Sequence, residues 1–391
     1  MRDNIFIDKV LKNLKKVTGS NFVALHEPNF SGNEKKYINE AIDSTFVSSV
    51  GKFVNKFEEL LVNFTGAKFA IATVNGTAAL HISLLVAGVK ENDEVLVPSF
   101  TFVATANAIN YCRADCHFID VNYNDLGIDV PKLREYLSKI SIQINSECFN
   151  KSTKKRIKAI VPMHSFGHSV DIDSLLLLCK DFNLTLVEDC AESLGSYYKG
   201  KHTGTYGLVS ALSFNGNKII TTGGGGAILT NNEEIAALAK HLTTTAKVVH
   251  AWEYIHDMVG YNYRMPNLNA ALGCAQLEQL DKIINNKRTL YNIYEDALSG
   301  IEGLSVFEEP ANTKSNYWLQ ALVLENDYKK YQRDLLIALN SNNIMCRPPW
   351  MPISLLKPYK NYISTNLDVT IDLYERIINI PSSPTLATNH V

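Results

Sequence analysis

The chain has 391 residues, with 38 Lys or Arg against 40 Asp or Glu, so its formal net charge is −2. Hydrophobic residues make up 46%, which is typical of a globular protein, and the length is sufficient for two domains. The near-neutral charge argues against a dedicated nucleic-acid-binding protein. No apolar run reaches the ~18 residues of a membrane helix, and charges in every turn of residues 1–16 argue against a secretory signal.

The seven cysteines stand singly, without a CxxC pair. An odd number of scattered cysteines is typical of a reduced compartment, so we predict a cytoplasmic protein without disulfides. Cys112 and Cys116 lie near His117, but no second cluster of ligands accompanies them. We therefore predict buried thiols at these positions and no metal site.

The first part of the chain alternates between short apolar runs and helical patterns over residues 67–230. Strands are predicted at 94–99, 116–121, 157–163, 184–189 and 208–214, and helices at 77–89 and 171–182. The strands lack polar alternation, which indicates a mainly parallel, doubly wound sheet covered on both faces. The polar, basic segment 140–156 is predicted to be an excursion on the surface.

The C-terminal part has a different pattern of predicted helices and strands. A long helical pattern at 267–298 predicts a helix that bridges two lobes. A strand at 317–325 and helices near 327–341 and 370–379 then predict a smaller α+β domain. We expect a large α/β domain over 1–265 with its N-terminal segment, a bridging helix over 266–300, and the small domain over 301–391.

Asn75-Gly76-Thr77 lies between the apolar run FAIATV (69–74) and a helix. The N-terminus of a helix offers free N–H groups and a positive dipole end, so this turn is either a phosphate site or an ordinary helix cap. Asp189 follows the apolar run LTLV, at a position where ligands of open α/β sheets bind. It is either a pocket carboxylate or a helix cap, and Glu192 could face the same crevice.

Lys218 lies in a polar loop, SFNGNK (213–218), that leaves a buried strand and is soon followed by four glycines. A lysine drawn into a pocket loses its proton more easily and can form a Schiff base, whereas a solvated lysine remains charged. Ser213 and Asn217 could donate to an anion. The glycines either permit close approach of the backbone or form a flexible hairpin.

Taken together, these three clusters supply the groups that pyridoxal 5′-phosphate needs: donors for its phosphate, an acid for its ring nitrogen, and an amine for its aldehyde. Phe102, which follows the EVLVP strand, could stack on the ring or pack in the core.

The order of six segments then resembles the DegT/DnrJ/EryC1/StrS family of sugar aminotransferases: NGTAALH, VPSFTFVATANAI, EDCAESLGS, GKHTG, SFNGNKIITTGGGG and GYNYRMPNLNAALG. The resemblance covers nearly the whole chain and implies the fold type I, aspartate aminotransferase-like architecture. It implies that Lys218 binds the cofactor aldehyde, that Asp189 pairs with the ring nitrogen, and that Glu192 lies near the ring hydroxyl.

The same resemblance implies the rest of a cofactor site. Gly76, Thr77 and Ser213 would hold the phosphate, with Phe102 over the ring. Asn262, in GYNYR, would reach the phosphate of a neighbouring subunit, which implies a homodimer with shared active sites. His164 stands at the end of the apolar run IKAIVPM, so we expect it near the crevice, in a supporting or a structural role.

Lys at position 218, where some family members carry His and act as dehydratases, favours transamination from glutamate, with 2-oxoglutarate as by-product. The segments HEPNFSGNE, STFVSSVGKFVNKFEE and RPPW look most like enzymes that act on UDP-linked 4-keto-6-deoxy-N-acetylhexoses for bacterial surface glycans, such as the lipopolysaccharide O-antigen. The branch that makes perosamine from a GDP-linked 4-keto sugar is the alternative, as is a dTDP-3-keto sugar. A non-catalytic regulator that keeps the fold is an alternative of another class.

Overall fold

The structure is a computed structural model, and it describes residues 2–388. Within these residues the helices are α1 (Arg2–Thr18), α2 (Glu34–Asp43), α3 (Lys52–Thr65), α4 (Gly76–Val86), α5 (Val103–Tyr111), α6 (Val130–Ile140), α7 (Ile172–Phe182), α8 (Glu233–Thr243), α9 (Asn267–Leu277), α10 (Leu280–Leu298), α11 (Gln332–Ser341), α12 (Asp368–Arg376) and α13 (Thr385–Thr388). Short 3₁₀ turns lie at Ser165–Gly167, Asn326–Tyr331 and Ile353–Leu355.

The strands are β1 (Phe69–Thr73), β2 (Glu94–Pro98), β3 (Asp115–Ile119), β4 (Ser141–Ile144), β5 (Glu147–Asn150), β6 (Ile157–Ile160), β7 (Thr185–Asp189), β8 (Tyr197–Tyr198), β9 (Lys201–His202), β10 (Val209–Ser213), β11 (Gly226–Thr230), β12 (Leu304–Val306), β13 (Thr313–Lys314), β14 (Gln320–Leu324) and β15 (Ile377–Ile380).

The central sheet has seven strands in the order β1-β11-β10-β7-β6-β2-β3. The strands from β10 to β3 pair in parallel, and β11 runs antiparallel to both of its neighbours. This arrangement confirms the predicted, mainly parallel sheet. Because β1, β7 and β10 point the same way, their carboxyl ends lie at one edge of the sheet.

Both faces of this sheet are covered, as the sequence predicts for a doubly wound layer. Successive side chains of a strand point to opposite faces, so Val95 and Val97 pack with α4 and α5, whereas Leu96 packs with α6 and α7. Helices α3 and α9 cover the second face near β1 and β11. Helix α4 is apolar on all sides because it is enclosed between the sheet, α5 and α8.

The C-terminal region has its own antiparallel sheet, in the order β12-β14-β15, as expected for the smaller α+β domain. A hydrophobic cluster joins this sheet to α10 and α11 through Leu290, Leu322 and Leu335. Helix α1 contributes Val10 and Leu14 to the same cluster, so the N-terminal helix packs on this lobe. Strand β13 instead pairs with β8 and ties the region to the large lobe.

Three local predictions differ from the structure. The helical pattern at 267–298 divides at residues 278–279 into α9 and α10. The helix predicted near 370–379 begins at Asp368 and ends at Arg376, because the β-branched run from Ile377 forms β15. The glycine-rich stretch leads directly into a buried strand, β11, that was not predicted from the sequence.

The segment 140–156 contains the hairpin β4–β5, whose β4 side chains Ile142 and Ile144 are half-exposed. In the described part of the chain, no helix is both long enough and apolar enough to cross a bilayer.

Candidate active site

The carboxyl ends of β1, β7 and β10 open onto a cavity of about 410 Å³. Its walls come from the turns that follow these strands, from the start of α5 and from two tryptophans of the C-terminal region. The lining residues are Asn75, Gly76, Thr77, Leu80, Phe102, Ala104, Thr105, Met163, Asp189, Ala191, Glu192, Ser213, Asn215, Asn217, Lys218, Trp318 and Trp350. The structure therefore brings together all of the predicted cofactor-site residues except Asn262, and His164 does not line the cavity.

One end of the cavity is the N-terminus of α4. Asn75, rather than Thr77, caps this helix: its Oδ1 accepts the N–H of Ala78 at 2.7 Å. The first N–H groups of a helix have no acceptor within it, so those of Gly76 and Thr77 are available to an anion. A Cβ at Gly76 would lie 2.7 Å from Cβ of Ser213, so glycine is required for this close approach.

Gly226, the last glycine of the run 223–226, lies beside the same turn at the start of α4. A Cβ at Gly226 would lie 2.5 Å from the backbone carbonyl of Asn75, so only glycine lets β11 pass behind the turn. Gly226 pairs with Thr73 and with Ser213, which places these segments side by side. Gly226 thus permits close approach of the backbone, which is one of the two alternatives left by the sequence.

The opposite side of the cavity carries the carboxylate of Asp189, which is 2% exposed. Its Oδ2 accepts the hydroxyl of Thr105 at 2.7 Å, and its Oδ1 accepts the N–H of Ala191 at 3.1 Å. Burial raises the pKa of Asp189, while these two donors and the charge of Lys218 oppose the rise. Asp189 ends β7 and caps no helix, so the pocket alternative is the one that the structure shows.

Lys218 points into the same cavity and is not a solvated surface charge. Its Nζ lies 3.1 Å from Oε1 of Glu192 and 4.0 Å from the ring centroid of Trp318. The second carboxylate oxygen of Glu192 accepts the N–H of Phe166 at 2.9 Å. Burial raises the pKa of Glu192 to about 7, although the positive charge of Lys218 acts in the opposite direction.

Aromatic side chains form the remaining wall. Phe102 is 48% exposed and lines the cavity, so it does not belong to the core. Trp318 is buried, and its Nε1–H donates to the carbonyl of Asn217 at 2.6 Å, which fixes the lysine loop. Trp350 stacks on Phe166, with ring centroids 5.0 Å apart.

Asn262 lies outside the cavity of its own chain. It is exposed and forms an isolated bridge with Thr244. This position is compatible with the expectation that Asn262 reaches a neighbouring subunit. His164 does not line the cavity either: its Nε2 lies 3.3 Å from Glu188, and its Nδ1 accepts the N–H of Val170.

The cavity is also lined by four residues that were not predicted from the sequence: Thr105, Met163, Trp318 and Trp350. Thr105 lies in a segment that the family resemblance already included, so its place one turn beyond Phe102 was a usable signal. The two tryptophans come from distant, strand-like or irregular segments, where no local pattern marks them as pocket residues.

The cavity fits the groups of pyridoxal 5′-phosphate. The buried acid and the amine suit the ring nitrogen and the aldehyde, and the amides at the start of α4 suit the phosphate. The volume is within the ordinary range for a cofactor pocket.

A larger surface cavity of about 690 Å³ lies elsewhere and has no comparable chemistry. Two of its carboxylates, those of Asp129 and Asp171, cap α6 and α7.

Among the described residues, one group lies close enough to share a metal ion: His164, Glu188 and Cys190. Glu188, however, already accepts N–H groups from the 204–207 loop, as expected for a structural anchor.

Each of three residues that are close in the sequence has its own partner in the structure: Cys112, Cys116 and His117. The ring of His117 contacts Glu94 at 2.9 Å and Tyr136 at 3.0 Å. Cys112 and Cys116 are buried free thiols, each facing a backbone carbonyl.

Comparison with known proteins agrees with this chemistry. Residues 28–391 match the model of the DegT/DnrJ/EryC1/StrS aminotransferase family. A GDP-perosamine synthase from Vibrio cholerae is 38% identical over 94% of this chain and 96% of its own. A UDP-4-amino-4,6-dideoxy-N-acetyl-β-L-altrosamine transaminase from Campylobacter jejuni is 31% identical, over 85% of each chain.

Among solved structures, an aminotransferase involved in the biosynthesis of pseudoaminic acid from Helicobacter pylori superposes with a TM-score of 0.84 at 25% identity. The match covers 94% of this chain and 97% of that one, so both lobes share the fold type I architecture. The chain belongs to the DegT/DnrJ/EryC1/StrS family and is a pyridoxal-phosphate-dependent sugar aminotransferase.

Proposed function

We propose that this enzyme transfers an amino group from glutamate to the keto group of a 4-keto-6-deoxy sugar nucleotide. The observation that carries the proposal is the convergence of Lys218, Asp189 and the N-terminus of α4 on one cavity. A dehydratase that depends on His at the lysine position lacks support here, because Lys218 occupies it.

The bound cofactor supplies an aldehyde that accepts the amino group and a ring that spreads negative charge. Asp189 pairs with the ring nitrogen and favours its protonated form. The amides of Gly76 and Thr77, with Ser213, hold the phosphate, and Phe102 covers the ring. Glu192 lies close enough to Lys218 to orient its amine.

Lys218 is the residue that binds the aldehyde and then moves protons. With the cofactor bound, Nζ of Lys218 would take the proton from the α-carbon of glutamate as a base and return it as an acid. After glutamate has left as 2-oxoglutarate, the same Nζ would act in the opposite direction, and the keto carbon of the sugar would receive the amino group. The face of Trp318 restricts where the freed amine can move.

For the sugar nucleotide, the relatives favour a GDP-linked 4-keto-6-deoxymannose over the UDP-linked N-acetylhexos-4-ulose that the sequence segments suggested. The support is the 38% identity to a GDP-perosamine synthase, compared with 31% to a transaminase whose name specifies a UDP sugar. The UDP-linked substrate remains the second candidate because of that transaminase. Either product is an amino sugar for bacterial surface glycans such as the O-antigen.

We further propose a homodimer in which Asn262 contributes to the partner's site. The segment before Asn262 carries four strongly exposed apolar side chains, Val249, Trp252, Tyr254 and Val259. A second copy of the chain that buries them would bring this segment to a neighbouring cavity.

The seven cysteines are free and buried, which supports our placement of the reaction in the reducing cytoplasm.

The test is an assay of purified, cofactor-loaded enzyme with glutamate and three keto sugar nucleotides, linked to GDP, UDP and dTDP. We expect the fastest formation of an amino sugar with the GDP-linked substrate, read by mass spectrometry. Preference for the UDP-linked sugar would support the second candidate.

A second experiment tests the role of Lys218. Hydride trapping should place the cofactor mass on Lys218, and a loaded enzyme without that adduct contradicts the mechanism.

A further inference from the structure

A short chain of hydroxyl groups leads to the carboxylate of Asp189. Thr105, in the first turn of α5, lies 2.7 Å from Oδ2 of Asp189 through its Oγ1. Oγ1 of Thr101 lies 3.0 Å from Oγ1 of Thr105 and 2.8 Å from the sulfur of Met163. Thr101 and Thr105 are at most 1% exposed, so this arrangement is shielded from bulk water.

Counting protons fixes the direction of the hydrogen bond to Asp189. An ionised carboxylate accepts but cannot donate, so the single hydroxyl proton of Thr105 points at Oδ2. The oxygen of Thr105 can then accept a hydrogen bond from Thr101, whose single hydroxyl proton has two acceptors within reach, this oxygen and the sulfur of Met163. Ala191 donates its N–H to Oδ1 from the turn after β7, at 3.1 Å. Donors from two different elements thus fix both oxygens, and with them the plane of the carboxylate.

We propose that Thr105 is a positioning residue for transamination: its hydroxyl keeps the Asp189 carboxylate ionised and directed at the ring nitrogen of the cofactor. This inference rests on the proposed pairing of Asp189 with that nitrogen. A hydrogen bond to a charged group is stronger than one between neutral groups, and most of all in a buried site.

Asp189 needs such support because burial acts against its charged form. Burial raises its pKa, and the opposing influences come from Thr105, Ala191, Lys218 and His164. Lys218 is the group that reacts, so its charge is not a constant feature of the site. The hydroxyl of Thr105 takes no part in the covalent chemistry and can support the carboxylate throughout turnover.

The experiment compares Thr105→Val, which keeps the shape but removes the hydroxyl, with Thr105→Ser, which keeps the hydroxyl. The readout is the ¹⁵N resonance of cofactor labelled at the ring nitrogen and bound to the enzyme at one neutral pH. We expect a protonated-pyridine resonance in the unmodified enzyme and in Thr105→Ser, and a shift toward the neutral value in Thr105→Val. The kcat of Thr105→Val should fall roughly tenfold to a hundredfold.

Thr243→Val is the matched control, because Thr243 is also buried and donates its hydroxyl to a backbone carbonyl, that of Ala239, away from the cavity. It should lose stability without moving the resonance. If Thr105→Val does not fold, Thr105→Ala replaces it. A Thr105→Val enzyme with the unmodified resonance and kcat overturns the proposal. A neutral resonance in the unmodified enzyme instead contradicts the Asp189 pairing itself, so the two failures are distinguishable.

Discussion

Nζ of Lys218 lies 3.1 Å from Oε1 of Glu192, and this ion pair is almost completely shielded from solvent. Burying a carboxylate without full compensation favours its neutral form, and the pKa of Glu192 rises to about 7. The pair therefore holds the reactive amine next to a carboxyl group that can change its charge near neutral pH.

The first prediction concerns the pH dependence of stability. In the folded, cofactor-free protein the pKa of Glu192 is about 7, so it keeps its proton up to that pH, whereas the unfolded chain releases it near the ordinary glutamate pKa of 4.5. Stability therefore falls as the pH rises through this window, by on the order of 3 kcal/mol. In Glu192→Gln, urea unfolding should show a smaller fall between these two pH values.

Glu302→Gln is the control for this series, because Glu302 is exposed. It should follow the curve of the unmodified protein. If Glu192→Gln does the same, the raised pKa of Glu192 is wrong.

A second prediction concerns the phosphate end of the cavity. In Gly76→Ala, the new methyl group would lie 2.7 Å from Cβ of Ser213, so the start of α4 or β10 must shift. We expect cofactor affinity to fall by at least about tenfold, measured by absorbance titration, because helix N–H groups act only within hydrogen-bond reach.

Gly216→Ala is the matched control for Gly76→Ala. A Cβ at Gly216 has no atom within 4 Å, although Gly216 lies in the lysine loop. It should bind the cofactor normally. Unchanged affinity in Gly76→Ala would show that the phosphate is held elsewhere.

Trp318 provides the third prediction. Trp318→Phe keeps an aromatic face for Lys218 but loses the hydrogen bond to Asn217, whereas Trp318→Leu loses both. We expect kcat to fall by roughly threefold for Phe and tenfold or more for Leu, given the usual strengths of these two interactions. Equal rates in the two variants would mean that the aromatic face has no role.

The fourth prediction concerns the sharing of sites between subunits. If Asn262 acts in the partner's cavity, a hybrid dimer of Lys218→Ala and Asn262→Ala has one intact site. Equal amounts of the two inactive variants, unfolded and refolded together, should then regain about a quarter of the activity by random pairing. No recovery, with dimers confirmed by light scattering, would place Asn262 in the site of its own chain.

Part of the site could be predicted from the sequence because its signals are local. A turn residue after each apolar run marks the end of a strand, and parallel strands bring those ends to one edge. Gly76, Asp189, Ser213 and Lys218 all meet there for this reason. Thr105 lies in a segment of the family resemblance but was not selected. Trp318 and Trp350 did not stand out, because nothing in their neighbouring residues records what they contact.

The local patterns by themselves determined the doubly wound layer, since periodicity and turn chemistry are encoded within a few residues. Only the tertiary structure decided between the alternatives left open for Phe102, Asp189 and Lys218. Side-chain burial and charge depend on which distant segments pack together, as when Trp318 of the C-terminal region covers the amine of Lys218. Likewise, glycine is required at Gly226, the first residue of β11, because the backbone of Asn75 lies beside it.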